Sequence, residues 1–134
     1  MKHIFLIFSI ACLVGCVSDI ATQEKPDAIG EFRLGYAVVI GKEMIKGPLS
    51  RVGDTEKIIA VVKEVIAKRL SVYEGGQYYH VAVKIDAYVL GQPGVPLLIS
   101  PKSALVMQVT VWDDDKKAKI NEIPVQMTVL EGLS

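Results

Sequence analysis

The sequence predicts an α/β domain of the α+β type. It is a two-layer sandwich with one long helix on a four-stranded, mostly antiparallel sheet, in the order β-α-β-β-β. Three observations predict it. Residues 54–73 repeat their apolar side chains at steps of three and four, the period of an amphipathic helix. Four other segments alternate apolar with polar residues, the period of a strand. The alternation is one-sided, which suits an antiparallel sheet with one wet face and the other packed on a helix.

The first strand is expected over residues 32–40, where Phe32, Leu34, Tyr36, Val38 and Ile40 alternate with Arg33, Gly35, Ala37 and Val39. Residues 41–53 read as a connection, broken by Gly47-Pro48 and closed by Gly53. Asp54 or Thr55 then caps the helix, with Glu56 near the positive end of its dipole. Ile58, Ile59, Val62, Val65, Ile66, Leu70 and Tyr73 form its apolar stripe, and Gly75-Gly76 is a natural stop. Glu64 and Lys68, off the stripe, stand at the favourable i,i+4 spacing.

Three more strands follow. Residues 78–90 place Val81, Val83, Ile85, Ala87 and Val89 on one face and His80, Lys84, Asp86 and Tyr88 on the other. Residues 104–112 turn Leu105, Met107, Val109 and Val111 inward against Gln108, Thr110 and Trp112. Residues 123–130 repeat the pattern with Val125, Met127 and Val129. These three form a meander, and the first strand joins the sheet through a right-handed crossover.

Candidate chemistry is sparse. After residue 16 the only histidine is His80, at a strand start on the expected wet face, with no cysteine or second histidine to build a typical zinc site. Asp113-Asp114-Asp115-Lys116-Lys117 lacks the ligand spread and central glycine of a calcium loop and reads as a polar hairpin turn. Ser100-Pro101-Lys102-Ser103 puts a lysine beside two serines, but a Pro-rich loop supplies neither a lowered lysine pKa nor an oxyanion hole. Gly91-Gln92-Pro93-Gly94 follows a strand without opening a helix, so it is not a phosphate cradle. No catalytic residue, cofactor or metal is therefore expected.

The least ordinary stretch is 91–103, long for a strand connection and carrying Val95-Pro96-Leu97-Leu98-Ile99. It either folds back over an open end of the core or stands exposed as a docking loop stiffened by Pro93, Pro96 and Pro101. Tyr88 and Trp112 on the outward sheet face make a second candidate partner surface. Fifteen Lys plus Arg balance fifteen Asp plus Glu with no basic cluster, so nothing points to nucleic acid.

The amino terminus is chemically distinct. Lys2 precedes the apolar run Ile4 to Val14, broken only by Ser9. That run is shorter than the roughly 20 residues a membrane-spanning helix needs and has the length of a signal-peptide core. It ends in Leu13-Val14-Gly15-Cys16, which resembles the lipobox of bacterial lipoproteins. The resemblance covers the first sixteen residues. It implies diacylglyceryl transfer to the Cys16 thiol, cleavage before Cys16, and anchoring in a membrane by two or three acyl chains, where one chain alone binds only marginally. The chain then divides into a signal peptide at 1–15, a lipidated cysteine and flexible tether at 16–31, and one domain at 32–134.

In enterobacterial lipoproteins an aspartate directly after the cysteine favours the inner membrane. Here Val17 and Ser18 follow Cys16, so in a diderm host the resemblance implies the periplasmic face of the outer membrane. Cys12 leaves with the signal and Cys16 is consumed by lipid, so the domain holds no free thiol. In architecture the domain looks like small periplasmic α/β lipoproteins, among them activators of penicillin-binding proteins and accessory subunits of envelope machines. The expected function is a non-enzymatic interaction or assembly module with an envelope protein partner. The alternatives are a carrier of a small apolar ligand or lipid between helix and sheet, and an accessory activator of an envelope enzyme.

Overall fold

The computed structural model describes residues 27–94 and 102–131. Within them lie β1 (Phe32–Ile40), β2 (Ile45–Lys46), α1 (Thr55–Leu70), β3 (Gln77–Val89), β4 (Ala104–Asp113), β5 (Ala118–Lys119) and β6 (Val125–Leu130). All six strands belong to one mixed sheet. β1 and the short β2 pair in parallel with successive parts of β3, β3 pairs antiparallel with β4, and β4 pairs antiparallel with both β5 and β6. The sheet is thus four rows wide, with β2 extending the first row and β5 sharing the last with β6. The two-residue strands are additions to the expected four. They lie in stretches too short to show a period, within the 41–53 connection and after the 113–117 turn.

α1 begins where the sequence places it: Asp54 is extended and its side chain accepts from the Lys57 backbone N–H at 3.2 Å. It ends earlier, at Leu70, capped by Ser71 rather than running to the two glycines. Tyr73 therefore leaves the helical stripe and meets Phe32 edge to face, with ring centroids 5.8 Å apart. Val62 on α1 joins Val81, Val83 and Ile85 of β3 and Met107 of β4 in the core, flanked by Leu34, Val39, Ile59, Ile66 and Leu105. Among the described residues no helix is long and apolar enough to cross a membrane.

Two bulges shift the expected alternation. In β1 the register slips between Leu34 and Ala37, so Ala37 and Val39 turn toward the helix while Tyr36, Val38 and Ile40 turn out. Gly35 sits at that slip because a Cβ there would lie 2.4 Å from the His80 ring. In β3 the register slips between Ile85 and Ala87, and the extra residue carries Tyr88 to the helix side opposite Leu105. Tyr88 is only 6% exposed, and its hydroxyl accepts from the Gly53 N–H at 3.2 Å. Strict period two cannot register either slip, since one extra residue flips every side chain beyond it.

The 47–53 connection is tied to the end of β3 through Ser50, itself buried. Its hydroxyl accepts from the Leu90 N–H at 2.8 Å and donates to the Arg51 carbonyl at 2.8 Å, while Arg51 N donates to the Leu90 carbonyl at 3.1 Å. Ser50→Ala removes the acceptor and leaves the Leu90 amide unpaired. It should destabilise the domain by about 1–3 kcal/mol, read as a lower denaturation midpoint at unchanged m value. A midpoint equal to wild type would show that this tie contributes nothing.

Candidate functional site

Sheet and helix do not match in width. A helix with its side chains is about 10 Å across, whereas four rows of strands about 4.8 Å apart occupy well over 14 Å. The backbone of α1 lies closest to β1. The helix side of the last row is left open: Val125, Met127 and Val129, aligned with the inward-facing Val109, Met107 and Leu105, remain 55%, 47% and 47% exposed. On the helix, Val61 and Val65, one turn apart, are exposed on the flank of the buried stripe.

The result is a trough of about 570 Å³. Ile58, Val61 and Val62 form its helix wall, Leu105 its floor, and Val129 its far side. One end is polar. There Arg51 Nε donates to the Gly91 carbonyl at 3.1 Å, the Gly91 N–H donates to Ser103 Oγ at 3.1 Å, and the Ser103 N–H donates to Glu131 at 3.2 Å. The Ser103 hydroxyl, and after it the Ser103 N–H, holds the Glu131 carboxyl below the usual carboxylate range. The trough thus has an apolar bed and a polar rim, the general make-up of binding sites.

Of the residues singled out in the sequence, Trp112 lies on the outward sheet face, opposite His80 and 36% exposed. Tyr88 does not join it: the β3 bulge buries it on the other side, which removes it from any partner surface. In its place the outward face presents Tyr36, Val38 and Ile40, which the β1 bulge turned out. Val95, Pro96, Leu97, Leu98 and Ile99 lie outside the described residues, as do Leu13, Val14, Gly15 and Cys16. Gly35 at the β1 slip was the one sequence signal for these surfaces; the β3 slip, at Asp86, carries no glycine.

His80 is engaged at both ring nitrogens. Nδ1 accepts from the Tyr36 backbone N–H at 2.9 Å, which places the ring proton on Nε2, facing Asp114 Oδ1 at 3.2 Å. Asp114 also takes the Lys117 ammonium at 2.8 Å. A general base needs a free lone pair to receive a proton, and the Tyr36 amide occupies that of Nδ1. The arrangement fastens the β1 bulge to the 114–117 turn.

That turn is built by the aspartates. Buried Asp113 accepts from Gln77 Nε2 at 2.8 Å and from the Asp115 and Lys116 N–H groups at 3.0 Å each, and Lys117 takes a positive φ of 51° to close the hairpin. The Lys116 N–H first, then the Gln77 amide and the Lys116 charge, hold the Asp113 carboxyl below its ordinary value. The Lys117 ammonium, then His80, do the same for Asp114. Among the described residues, no cluster of three His, Cys, Asp or Glu side chains converges to hold a metal.

Both depressed carboxyls favour the folded state once ionised. Their contribution is complete above the unfolded aspartate pKa of about 3.9 and is lost as pH falls through the lower folded values. Asp113→Asn should therefore melt below wild type at neutral pH, with the gap closing as acid protonates the wild-type carboxyl. A gap of constant size through the carboxylate range would contradict this role.

Comparison of the chain with protein-family models, with curated proteins and with solved structures returns no match to any of them.

Proposed function

We propose that this protein is a lipid-anchored envelope lipoprotein whose domain is a non-enzymatic binding module. On this reading Cys16 carries the anchor, and in a diderm host the domain faces the periplasm from the outer membrane. The apolar trough between α1 and the Val129 end of β6 is the observation that carries the binding reading: it adjoins the core side of the last row, where Val125, Met127 and Val129 stay about half exposed. Burying apolar surface yields about 25 cal/mol per Å², so a partner seated on the trough's apolar bed gains free energy from covering it. The engagement of both His80 nitrogens supports a binding role over an acid–base one.

A second reading, a carrier of a small apolar ligand or lipid, is favoured by the size and lining of the same trough. About 570 Å³ lies within the roughly 300–1,000 Å³ of small-molecule sites. An accessory activator of an envelope enzyme is a special case of the first reading, with that enzyme as the partner.

Two experiments test these roles. Radiolabelled palmitate should label the wild-type chain and not Cys16→Ser; label that survives the substitution would refute the anchor. A photo-reactive residue at position 61 or 129, activated in native membranes, should join the domain to a protein under the binding reading and to lipid under the carrier reading. Adducts no more frequent than from a control position such as Lys63, on the exposed side of α1, would remove the trough from the function.

A further inference from the structure

β6 forms an edge of the sheet, and its backbone register shows what that edge offers. The Glu131 N–H donates to the Ser103 carbonyl at 2.8 Å, and the ladder continues as Val129↔Leu105, Met127↔Met107 and Val125↔Val109. In an antiparallel ladder the residues that exchange hydrogen bonds alternate with those that do not. The odd-numbered residues therefore spend their N–H and C=O groups on β4. Gln126, Thr128 and Leu130 direct theirs outward, and no strand among the described residues pairs with them.

Protein edges are usually blunted by charge, proline or a bulge. The opposite edge carries two such features: the β1 bulge, and the Gly75 N–H donated to the Phe32 carbonyl beside the Arg33↔Glu74 bridge. From Ile123 to Leu130 there is no charged residue, and Pro124 stands only at the entry.

We propose that β6 pairs with β6 of a second copy of this chain, antiparallel about a two-fold axis at Met127. Opposed residues in an antiparallel pair share a face, so residue numbers across a two-fold must sum to an even value. Two even sums, 254 and 256, centre the strand equally. A sum of 256 would set Val125 against Glu131 and Gln126 against Leu130, whereas 254 sets Met127 against Met127, Val125 against Val129, and Gln126 against Thr128 of the second copy. Apolar side chains then meet apolar ones on the helix side, amide meets hydroxyl on the outward side, and no like charges oppose.

The hydrogen bonding is compatible with this register. Gln126 and Thr128, whose groups point outward, form the pairs that exchange both backbone bonds, while Met127 falls on the non-bonded pair at the axis. Pro124, which has no N–H to give, falls opposite Leu130 at both ends, so the ladder stops where its donors stop. α1 lies toward β1, away from the joint. This inference rests on strand register and not on the lipid anchor.

The test uses the full chain with Cys12→Ser and Cys16→Ser, so that an introduced thiol is unique. Non-bonded antiparallel pairs hold their Cα atoms about 4.5 Å apart, within disulfide range. Met127→Cys should thus be trapped as a covalent dimer on mild oxidation, and Gln126→Cys, offset from its own copy, should not. Without oxidation, sedimentation should show a concentration-dependent dimer. Thr128→Pro should weaken it by about tenfold or more in Kd, because proline there blocks the outward edge and sacrifices no bond to β4. Its circular dichroism should match wild type. If Thr128→Pro fails to fold, the two cysteine variants still decide. A wild-type chain that stays monomeric, or equal trapping at 126 and 127, would overturn the proposal.

Discussion

The packing of Val62 on α1 against Val81, Val83 and Ile85 of β3 and Met107 of β4 is the contact on which the rest of the molecule depends. It holds the helix on the crossover between β1 and β3 and fixes which side of the sheet is dry. It also commits the only described helix to one half of that side. β3 is the strand that β1, β2 and β4 all pair with, and Ile85 at its middle is 1% exposed. Loss of apolar contact there would release both layers at once, whereas the last row could fray without disturbing α1.

That asymmetry produces the features of interest. β4 is paired on both sides and partly covered, while among the described residues β6 is paired on one side and has no layer above it. An apolar bed and an unpaired backbone edge therefore adjoin on the same six residues, Val125–Leu130. The first arises because one helix is narrower than four rows of strands, the second because the sheet is open rather than closed into a barrel. They are separate consequences of one arrangement, and a variant such as Thr128→Pro can remove one while sparing the other.

The helix, the four main strands and the inward sets Val81-Val83-Ile85 and Leu105-Met107-Val109 were legible because hydrophobic periodicity reports directly on which side is buried. The bulges were not. A slip of one residue leaves composition unchanged and is decided by tertiary fit: Gly35 against the His80 ring in β1, and the Tyr88 hydroxyl under Gly53 in β3. For that reason Tyr88 read as a surface aromatic although it is buried, and Tyr36 fell in one alternating set with Phe32 and Leu34 although it is turned out. The trough was illegible for a different reason. Val125, Met127 and Val129 carry the pattern of buried residues, and sequence alone does not say that the covering layer stops short of them. His80 read correctly as a residue on the outward face, but its bond to the Tyr36 amide depends on the bulge and so was equally hidden.

The proposed anchor and the proposed edge contact bear on each other energetically. A ladder between two six-residue strands is a small interface, and a two-stranded pairing in water is marginal by itself. Chains held on one membrane by lipid have already lost most of their translational freedom, which raises their effective concentration and lowers the cost of association. The two-fold axis at Met127 stands perpendicular to the sheet, so both copies would keep their helices on one side of a continuous surface. The half-exposed Val125, Met127 and Val129 of each copy would then meet along the joint, forming an apolar strip between the two troughs, which lie at the Val129 ends of the paired strands. A partner seated there would touch both copies, so its binding and the pairing of the edges would reinforce one another through the same side chains.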